Sequence, residues 1–299
     1  MLGSLAADTP HATAAAPAPA VTVSAGACSA SPLPLDATCS SVARRLFRAA
    51  AAGVGLSSEL IYDGATMASE LAANSMHAQT GIQFGVSGRP VAGAPEIWFY
   101  LRRVDGEQEL VCKVFDALPR WKDDARPDPS VPVPVDAVSG RGLHVIDGLS
   151  HGRWGHHLTR ARLGGWKVSG KAVWFALPVP ASSALDRFRP PQPGSVQAAG
   201  ILERMLSERG IGHIVRADAP ASAMSVLSIR RGLTVWCRSR VVSWTARTGH
   251  REWRAFVDLV DAAERIVGAH EELASADAAG QARYPVPVTG PGSAAPASG

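Results

Sequence analysis

The chain has 299 residues, of which 46% are hydrophobic and 19% are charged, and this is enough for one large domain or two smaller ones. The composition argues against a collagen-like chain, a fully disordered chain and a disulfide scaffold. The net charge of +4 is small for this length, so composition does not indicate a dedicated polyanion-binding protein.

The cysteines and the apolar runs indicate the cellular compartment in which the protein is expected. Cys28, Cys39, Cys112 and Cys237 show no metal-ligand spacing, and their scatter favours a reducing compartment. No apolar run approaches the ~20 residues that a membrane-spanning helix needs. The first residues lack the basic and apolar regions of a signal peptide. We therefore predict a cytoplasmic, soluble protein with no membrane partner.

Composition along the chain predicts two domains between two tails. Residues 1–38 and 276–299 are rich in Ala, Pro and Ser and have few large apolar side chains, so both are predicted to be disordered. Residues 179–195 have the composition of a linker. The remaining segments are a first domain over 39–178 and a small α+β domain over 196–275.

In the first domain, the order helix, hairpin, glycine loop, helix and hairpin predicts a two-layer α/β arrangement. Asp105 and Gly106 mark the first hairpin, because this pair tolerates the positive φ of a tight turn. The predicted elements are helices over 42–52, 57–79 and 143–149, strands over 96–103 and 109–115, a proline-rich loop over 127–134, and a closing hairpin within 166–177.

The second domain begins with a helix and continues with short strands. Gly210 is a plausible end for the first helix. The predicted elements are a helix over 196–210, strands over 212–216, 225–229, 233–238 and 241–245, and a long amphipathic helix over 253–273.

Polar residues that could carry chemistry lie in the first domain. Glu70, Asn74 and His77 fall on one stripe of the helix 57–79, although polar residues at this spacing are also typical of a solvated helix face. An isolated Asp116 ends the hairpin. Residues 140–142 (GRG) then open a helix, where free N–H groups and the helix dipole favour phosphate.

Together these sites resemble the ATP-binding boxes of the GHKL superfamily, and most closely its anti-sigma-factor serine kinase branch. The resemblance covers residues 43–177. The matching segments are 70–77 (ELAANSMH) for the N-box, 114–119 (VFDALP) and 140–143 (GRGL) for the two glycine boxes, 154–155 (WG), and 170–177 (GKAVWFAL) for the last strand.

The resemblance implies a Bergerat-type α/β (α+β) two-layer sandwich with a mixed, mainly antiparallel sheet. It also implies that the cofactors are ATP and Mg²⁺. Asn74 would coordinate the metal, and Glu70 would act as general base. Asp116 would accept a hydrogen bond from the adenine amino group. Gly140 and Gly142 would let backbone N–H groups approach the phosphates.

Two departures from the family pattern affect the expected site. Leu118 stands where the family has glycine or serine, which alters the adenine end of the pocket. The segment between Asp116 and Gly140 is short for a lid and rich in proline. No helix with a phosphoacceptor histidine precedes the domain, so a sensor histidine kinase is not expected.

The resemblance leaves two functions open. One is a serine/threonine protein kinase of the anti-sigma-factor type, which phosphorylates a small antagonist protein and sequesters a sigma factor. The other is a non-catalytic module that binds a partner under nucleotide control. Glu70 favours the kinase, whereas Leu118 and the short lid favour the module. Family members often form homodimers, so a dimer is also open.

The second domain interleaves arginine with tryptophan. We expect a three-residue turn centred on Arg240, which would pair Trp236 with Trp244 on a sheet face covered by the final helix. The same residues could instead stack on single-stranded nucleic acid, with salt-dependent retention as the test. Because the net charge is modest, we favour the covered face and do not expect a nucleic-acid partner.

Overall fold

The computed structural model describes residues 21–80, 94–119, 141–165, 167–181 and 192–283, to which all structural statements refer. This part of the chain is α+β and contains two five-stranded sheets and five α-helices. Every strand pairing described is antiparallel, so the sheet expected to be mixed shows no parallel pair in these residues.

The first sheet and three helices form the amino-terminal half. The strand order in this sheet is first, second, third, fifth and fourth. The elements are β1 (Cys28–Pro32), α1 (Cys39–Gly53), α2 (Ser58–Thr80), β2 (Glu96–Val104), β3 (Glu107–Asp116), α3 (Arg141–Ser150), β4 (Trp154–Arg160) and β5 (Ser169–Pro178).

The second sheet is a five-stranded meander with two helices on one face. Single-turn 3₁₀ helices precede its second strand and its final helix. The elements are α4 (Ser195–Glu208), β6 (Val215–Ala219), β7 (Met224–Arg230), β8 (Leu233–Arg238), β9 (Val241–Thr245), β10 (Arg251–Ala255) and α5 (Leu259–Arg283).

The first sheet is buried on both faces. In β2, Ile97 and Phe99 pack against α1 and α2, whereas Trp98 and Tyr100 point to the opposite side. Side chains alternate between the faces of a strand, so a strand buried on both faces reads as a nearly continuous apolar run. Tyr100 clusters with Val260 of α5, which therefore covers the second face.

Helix α5 joins the two halves of the molecule. Most of its buried apolar residues pack in the core of the second sheet together with α4. Several of its polar residues face the first sheet, where Asp261 accepts a hydrogen bond from the Tyr100 hydroxyl at 2.9 Å. The described halves therefore share one helix.

Several predicted elements are confirmed with small shifts of their ends. Helices α1 and α2 and strands β2, β3, β8 and β9 lie where the apolar pattern predicts them. The Asp105–Gly106 turn is also confirmed, with φ values of 52° and 87° that match a tight hairpin turn.

Both predicted tails are wrong where they meet the folded chain. Residues 28–32 form β1, which pairs with β2 through its backbone. Backbone pairing at a sheet edge does not require large side chains, so a segment of Ser, Ala and Cys can form it. At the other end α5 continues to Arg283, in a segment rich in alanine, the best helix former. Residues 1–20 and 284–299 lie outside the description.

The closing hairpin within 166–177 is wrong. Residues 169–178 form one strand, β5, and its hairpin partner is β4 upstream. Gly170 marks a close approach rather than a turn, because a Cβ there would lie 2.1 Å from the Asp116 carbonyl oxygen. The proline-rich loop over 127–134 lies outside the described residues.

The tryptophan pairing is also wrong. The turn between β8 and β9 has two residues, Ser239 and Arg240, with φ values of 52° and 62°. This shorter turn pairs Trp236 with Ser243 and Val235 with Trp244. Because a one-residue change of register moves a side chain to the other face, Trp244 is 1% exposed and Trp236 is 40% exposed.

The remaining predictions for the second half need smaller corrections. The strand predicted over 212–216 is β6, which begins at Val215. The helix predicted to begin at residue 253 begins at Leu259, because Arg251–Ala255 forms the edge strand β10. This strand has the sequence REWRA, which is too short for its pattern to distinguish a strand from the start of a helix.

Candidate functional site

The start of α3 packs against the middle of α2, and this contact brings three predicted site residues together. A Cβ built on Gly142 would lie 3.0 Å from Asn74 Nδ2 and 3.2 Å from Glu70 Oε2. Glu70 and Asn74 are one helical turn apart, so both side chains point at the same spot on α3. The absence of a Cβ on Gly142 therefore lets a carboxylate and an amide approach the start of α3 closely.

The polar atoms of the Glu70 and Asn74 side chains are available to bind a ligand. Asn74 is exposed and Glu70 is half-buried. Neither forms a hydrogen bond or ion pair with another described residue. Asn74 is also the only asparagine among the 299 residues. Oxygen atoms of this kind are the ligands that Mg²⁺ accepts in proteins, so the pair fits a metal-bound phosphate group.

Asp116 lies close to this helix, at the end of β3. The next residue along α2 from Asn74, Ser75, donates a hydrogen bond at 3.4 Å to the carbonyl oxygen of Phe115. This contact links α2 to the end of β3 that carries Asp116. Glu70 and Asn74 therefore meet Gly142 at α2, and the adjacent residue Ser75 contacts the end of β3 that carries Asp116.

The Asp116 carboxylate is buried and already has partners on both oxygens. Its Oδ1 accepts the Leu118 N–H at 2.9 Å, and its Oδ2 lies 2.7 Å from Lys171 Nζ. The same ammonium donates to the Leu118 carbonyl oxygen at 2.8 Å. A carboxylate has about four lone-pair positions, so the Asp116 carboxylate can still accept a hydrogen bond from a further donor. Any such donor would bind beside the buried ion pair with Lys171.

Sequence reasoning missed Lys171. The signal is a single charged residue inside the apolar run GKAVWFAL, because a lysine in a buried strand needs an anion nearby. Leu118, which the sequence marks as a departure from the family pattern, contributes its backbone N–H and C=O to this ion pair.

Two other predicted features cannot be placed. Gly140 and the short lid between Asp116 and Gly140 fall on residues outside the description, apart from 117–119. His77 is exposed on α2, one turn beyond Asn74.

A second polar cluster lies on the opposite face of the first sheet, against α5. Glu264 is fully buried there, and its carboxylate pairs with Lys113 at 3.3 Å, with Arg162 at 2.7 Å and with Arg209. Burial alone would raise the pKa of Glu264, but the three cations hold it well below its usual range. Glu264 is therefore the ionised counter-ion of the cluster.

His157 completes this cluster in its neutral form. Its Nδ1 lies 2.8 Å from the Leu158 carbonyl oxygen, and its Nε2 lies 3.0 Å from Lys113 Nζ. Burial lowers the pKa of the imidazole to about 3, and the charge of Lys113 acts in the same direction. With a neutral ring, Nδ1–H donates to the carbonyl and Nε2 accepts from the ammonium.

A cavity of about 200 Å³ opens beside this cluster, between the first sheet and α5. Arg102, Lys113 and Arg265 are its basic lining residues, and each is already within ion-pair distance of a carboxylate. An anion would therefore have to displace existing pairs. We assign the candidate functional site to the contact between α2 and α3. There the polar side-chain atoms of Glu70 and Asn74 have no hydrogen-bond or ion-pair partner among the described residues.

Comparisons with known proteins do not add a family. Neither a scan against protein-family models nor a search of curated proteins gives a match. None of the described helices is long and apolar enough to cross a membrane. The functional argument therefore depends on the site residues themselves.

Proposed function

We propose that this chain is an ATP-binding regulatory protein with a Bergerat-type nucleotide site between α2 and α3. The observation that carries the proposal is the approach of Gly142 to both Glu70 and Asn74. Glu70 and Asn74 belong to segment 70–77 and Gly142 to segment 140–143, and the resemblance to GHKL proteins assigns these two segments to one nucleotide site. Their proximity is what that assignment requires.

The side chains present fit Mg·ATP chemically. The Asn74 side-chain oxygen would bind the metal, and the N–H groups at the start of α3 would face the phosphates. Bound nucleotide would supply an activated γ-phosphoryl group. Glu70, one turn before Asn74, would take the proton from an attacking hydroxyl at its carboxylate.

The kinase reading depends on Glu70, whose carboxylate has no other described partner. A serine or threonine hydroxyl of a partner protein is the acceptor that this branch of the family would use. On this proposal the partner is a sigma-factor antagonist, and the chain also sequesters a sigma factor. Association into a homodimer belongs to the same proposal.

The second candidate, a non-catalytic nucleotide-gated module, is favoured by Lys171. The ammonium occupies Asp116 Oδ2, one of the oxygens that would accept the adenine amino group. If adenine binds only weakly beside this pair, the nucleotide would act by stabilising a docking conformation. Retained binding without phosphoryl transfer would then be the observed behaviour.

Gly142→Ala is expected to weaken Mg·ATP binding by about tenfold or more while the chain stays folded. The three atoms nearest to the added methyl group are the flexible ends of Asn74 and Glu70, which can move away, but in moving they leave the ligand position. Isothermal titration calorimetry on the full chain measures the effect. Asn74→Ala should remove binding altogether, because it deletes the metal ligand.

Gly148→Ala is the matched control, because it makes the same change in the same helix where the new methyl group meets nothing within 4 Å. It should bind Mg·ATP like the parent. Equal affinities for the Gly142→Ala and Gly148→Ala variants would contradict the proposed site. Phosphoryl transfer to water, measured as phosphate release by the chain alone, would contradict the non-catalytic module if it is lost in Glu70→Gln while Mg·ATP affinity is kept.

A further inference from the structure

The outer face of the second sheet carries two exposed tryptophans in one row. Trp236 of β8 and Trp253 of β10 both pair with Ser243 of the strand between them, and they are 40% and 61% exposed. Neighbouring strands lie ~4.8 Å apart, which places the backbones of the two tryptophans ~10 Å apart. Helices α4 and α5 cover the inner face, and no described element packs on the outer one.

The charge on this part of the chain is strongly one-sided. Residues 224–255 contain seven arginines and one acidic residue, Glu252. Glu252 pairs in register with the buried Trp244 and therefore points to the inner side, where it lies 3.5 Å from Arg265. None of the outward-facing positions in the five described strands holds Asp or Glu.

Arginines flank the row of tryptophans on both sides. Arg238 follows Trp236 by two residues along β8, and Arg251 precedes Trp253 by two residues along β10, so each shares the outer face. The Arg251 guanidinium donates to Ser243 Oγ at 3.1 Å, beside both rings. The Arg238 guanidinium has no hydrogen bond or ion pair to another described residue.

We propose that this Trp–Arg face, formed by Trp236, Trp253, Arg238 and Arg251, binds single-stranded nucleic acid. Unpaired bases would stack on the two rings, and the arginines on either side would contact phosphates. A face without carboxylates complements a polyanion. Protein interfaces are also enriched in tryptophan and arginine, so the feature that favours nucleic acid over a protein partner is the absence of carboxylates among the outward-facing strand positions.

Fluorescence anisotropy of labelled oligothymidine and oligouridine, titrated with the full chain at low salt and without nucleotide, tests this proposal. The two oligomers separate DNA from RNA as the source of the shared chemistry. We expect binding that Trp236→Ala and Trp253→Ala each weaken by about tenfold. Tyr62→Ala, which removes another exposed aromatic side chain, is the matched control and should bind like the parent.

Arg238→Gln with Arg251→Gln should reduce the dependence of log affinity on log salt by about 0.7 per arginine. The exposed pair Arg44→Gln with Arg45→Gln makes the same charge change on α1 and should leave this slope unchanged.

Three results would overturn the proposal. The first is that neither oligomer binds at low salt. The second is that Trp236→Ala, Trp253→Ala and the control Tyr62→Ala lose the same amount of affinity. The third is that the parent sediments as a dimer and that Trp253→Ala dissociates this dimer. The last would make the face a contact between copies of the chain. This proposal does not rest on the nucleotide site, and Asn74→Ala should bind the oligomers like the parent.

Discussion

Glu264→Gln should lower the free energy of unfolding by about 3–5 kcal/mol. The substitution keeps the shape of the side chain but removes the charge that Lys113, Arg162 and Arg209 share. Lys113 and Arg209 would then remain in the interior without this counter-ion, because the side chains of both are at most 3% exposed. Urea unfolding at neutral pH, followed by circular dichroism, measures the loss.

The matched control for this prediction is Glu208→Gln on α4. Glu208 is exposed and has no ion pair with a described residue, so its substitution should change stability by less than about 0.5 kcal/mol. A Glu264→Gln variant as stable as this control would mean that the cluster does not depend on the buried carboxylate. The described contact between α5 and the first sheet would then need another explanation.

Lys171→Met should destabilise the fold by about 3 kcal/mol, because it leaves the Asp116 carboxylate buried without its cation. Methionine keeps most of the length and apolar stem of the lysine, so the change isolates the charge. Urea unfolding of this variant, of Asp116→Asn and of the double variant forms a complete cycle.

The cycle should give a coupling energy of about 1–3 kcal/mol between the two substitutions. The reason is that the double variant has lost both the carboxylate and the ammonium, so no unpaired charge stays buried. Additive effects of the two substitutions would contradict a direct ion pair between Lys171 and Asp116. The result also bears on the nucleotide site, because a strong pair is what the adenine amino group would have to approach.

Local sequence signals predict much of the fold where a single element determines them. The Asp105–Gly106 turn is an example, because the φ values it needs are a property of those two residues. The β8–β9 turn shows the limit. Ser239 and Arg240 adopt positive φ without being Gly, Asn or Asp, so nothing in the sequence indicated a two-residue turn, and the register was predicted wrongly.

Strand β1 was missed for a different reason. Residues 28–32 are stabilised by backbone pairing to β2, and that pairing leaves no mark on composition. The extension of α5 beyond residue 275 was missed because alanine is common both in tails and in helices.

The candidate site was predictable because its residues carry their chemistry in short segments. The spacing of Glu70 and Asn74 places them on one helix face, and the structure brings Gly142 to that face. The partners from distant segments were not predictable. Lys171 on β5 pairs with Asp116 on the neighbouring strand β3, and Glu264 pairs with cations from three separate segments of the chain.

The most direct test of the nucleotide site uses the single asparagine of the chain. Protein grown with ¹⁵N-labelled asparagine should show one pair of side-chain amide signals, those of Asn74. We expect this pair to shift saturably as Mg·ATP is added, because the side chain would bind the metal. The Gly142→Ala variant should need more nucleotide for the same shift, and Gly148→Ala should not.

If the Asn74 side-chain signals stay at their free positions up to millimolar Mg·ATP, the nucleotide proposal is wrong. A shift that saturates, and that Gly142→Ala displaces to higher concentration, is the result that the proposed site predicts.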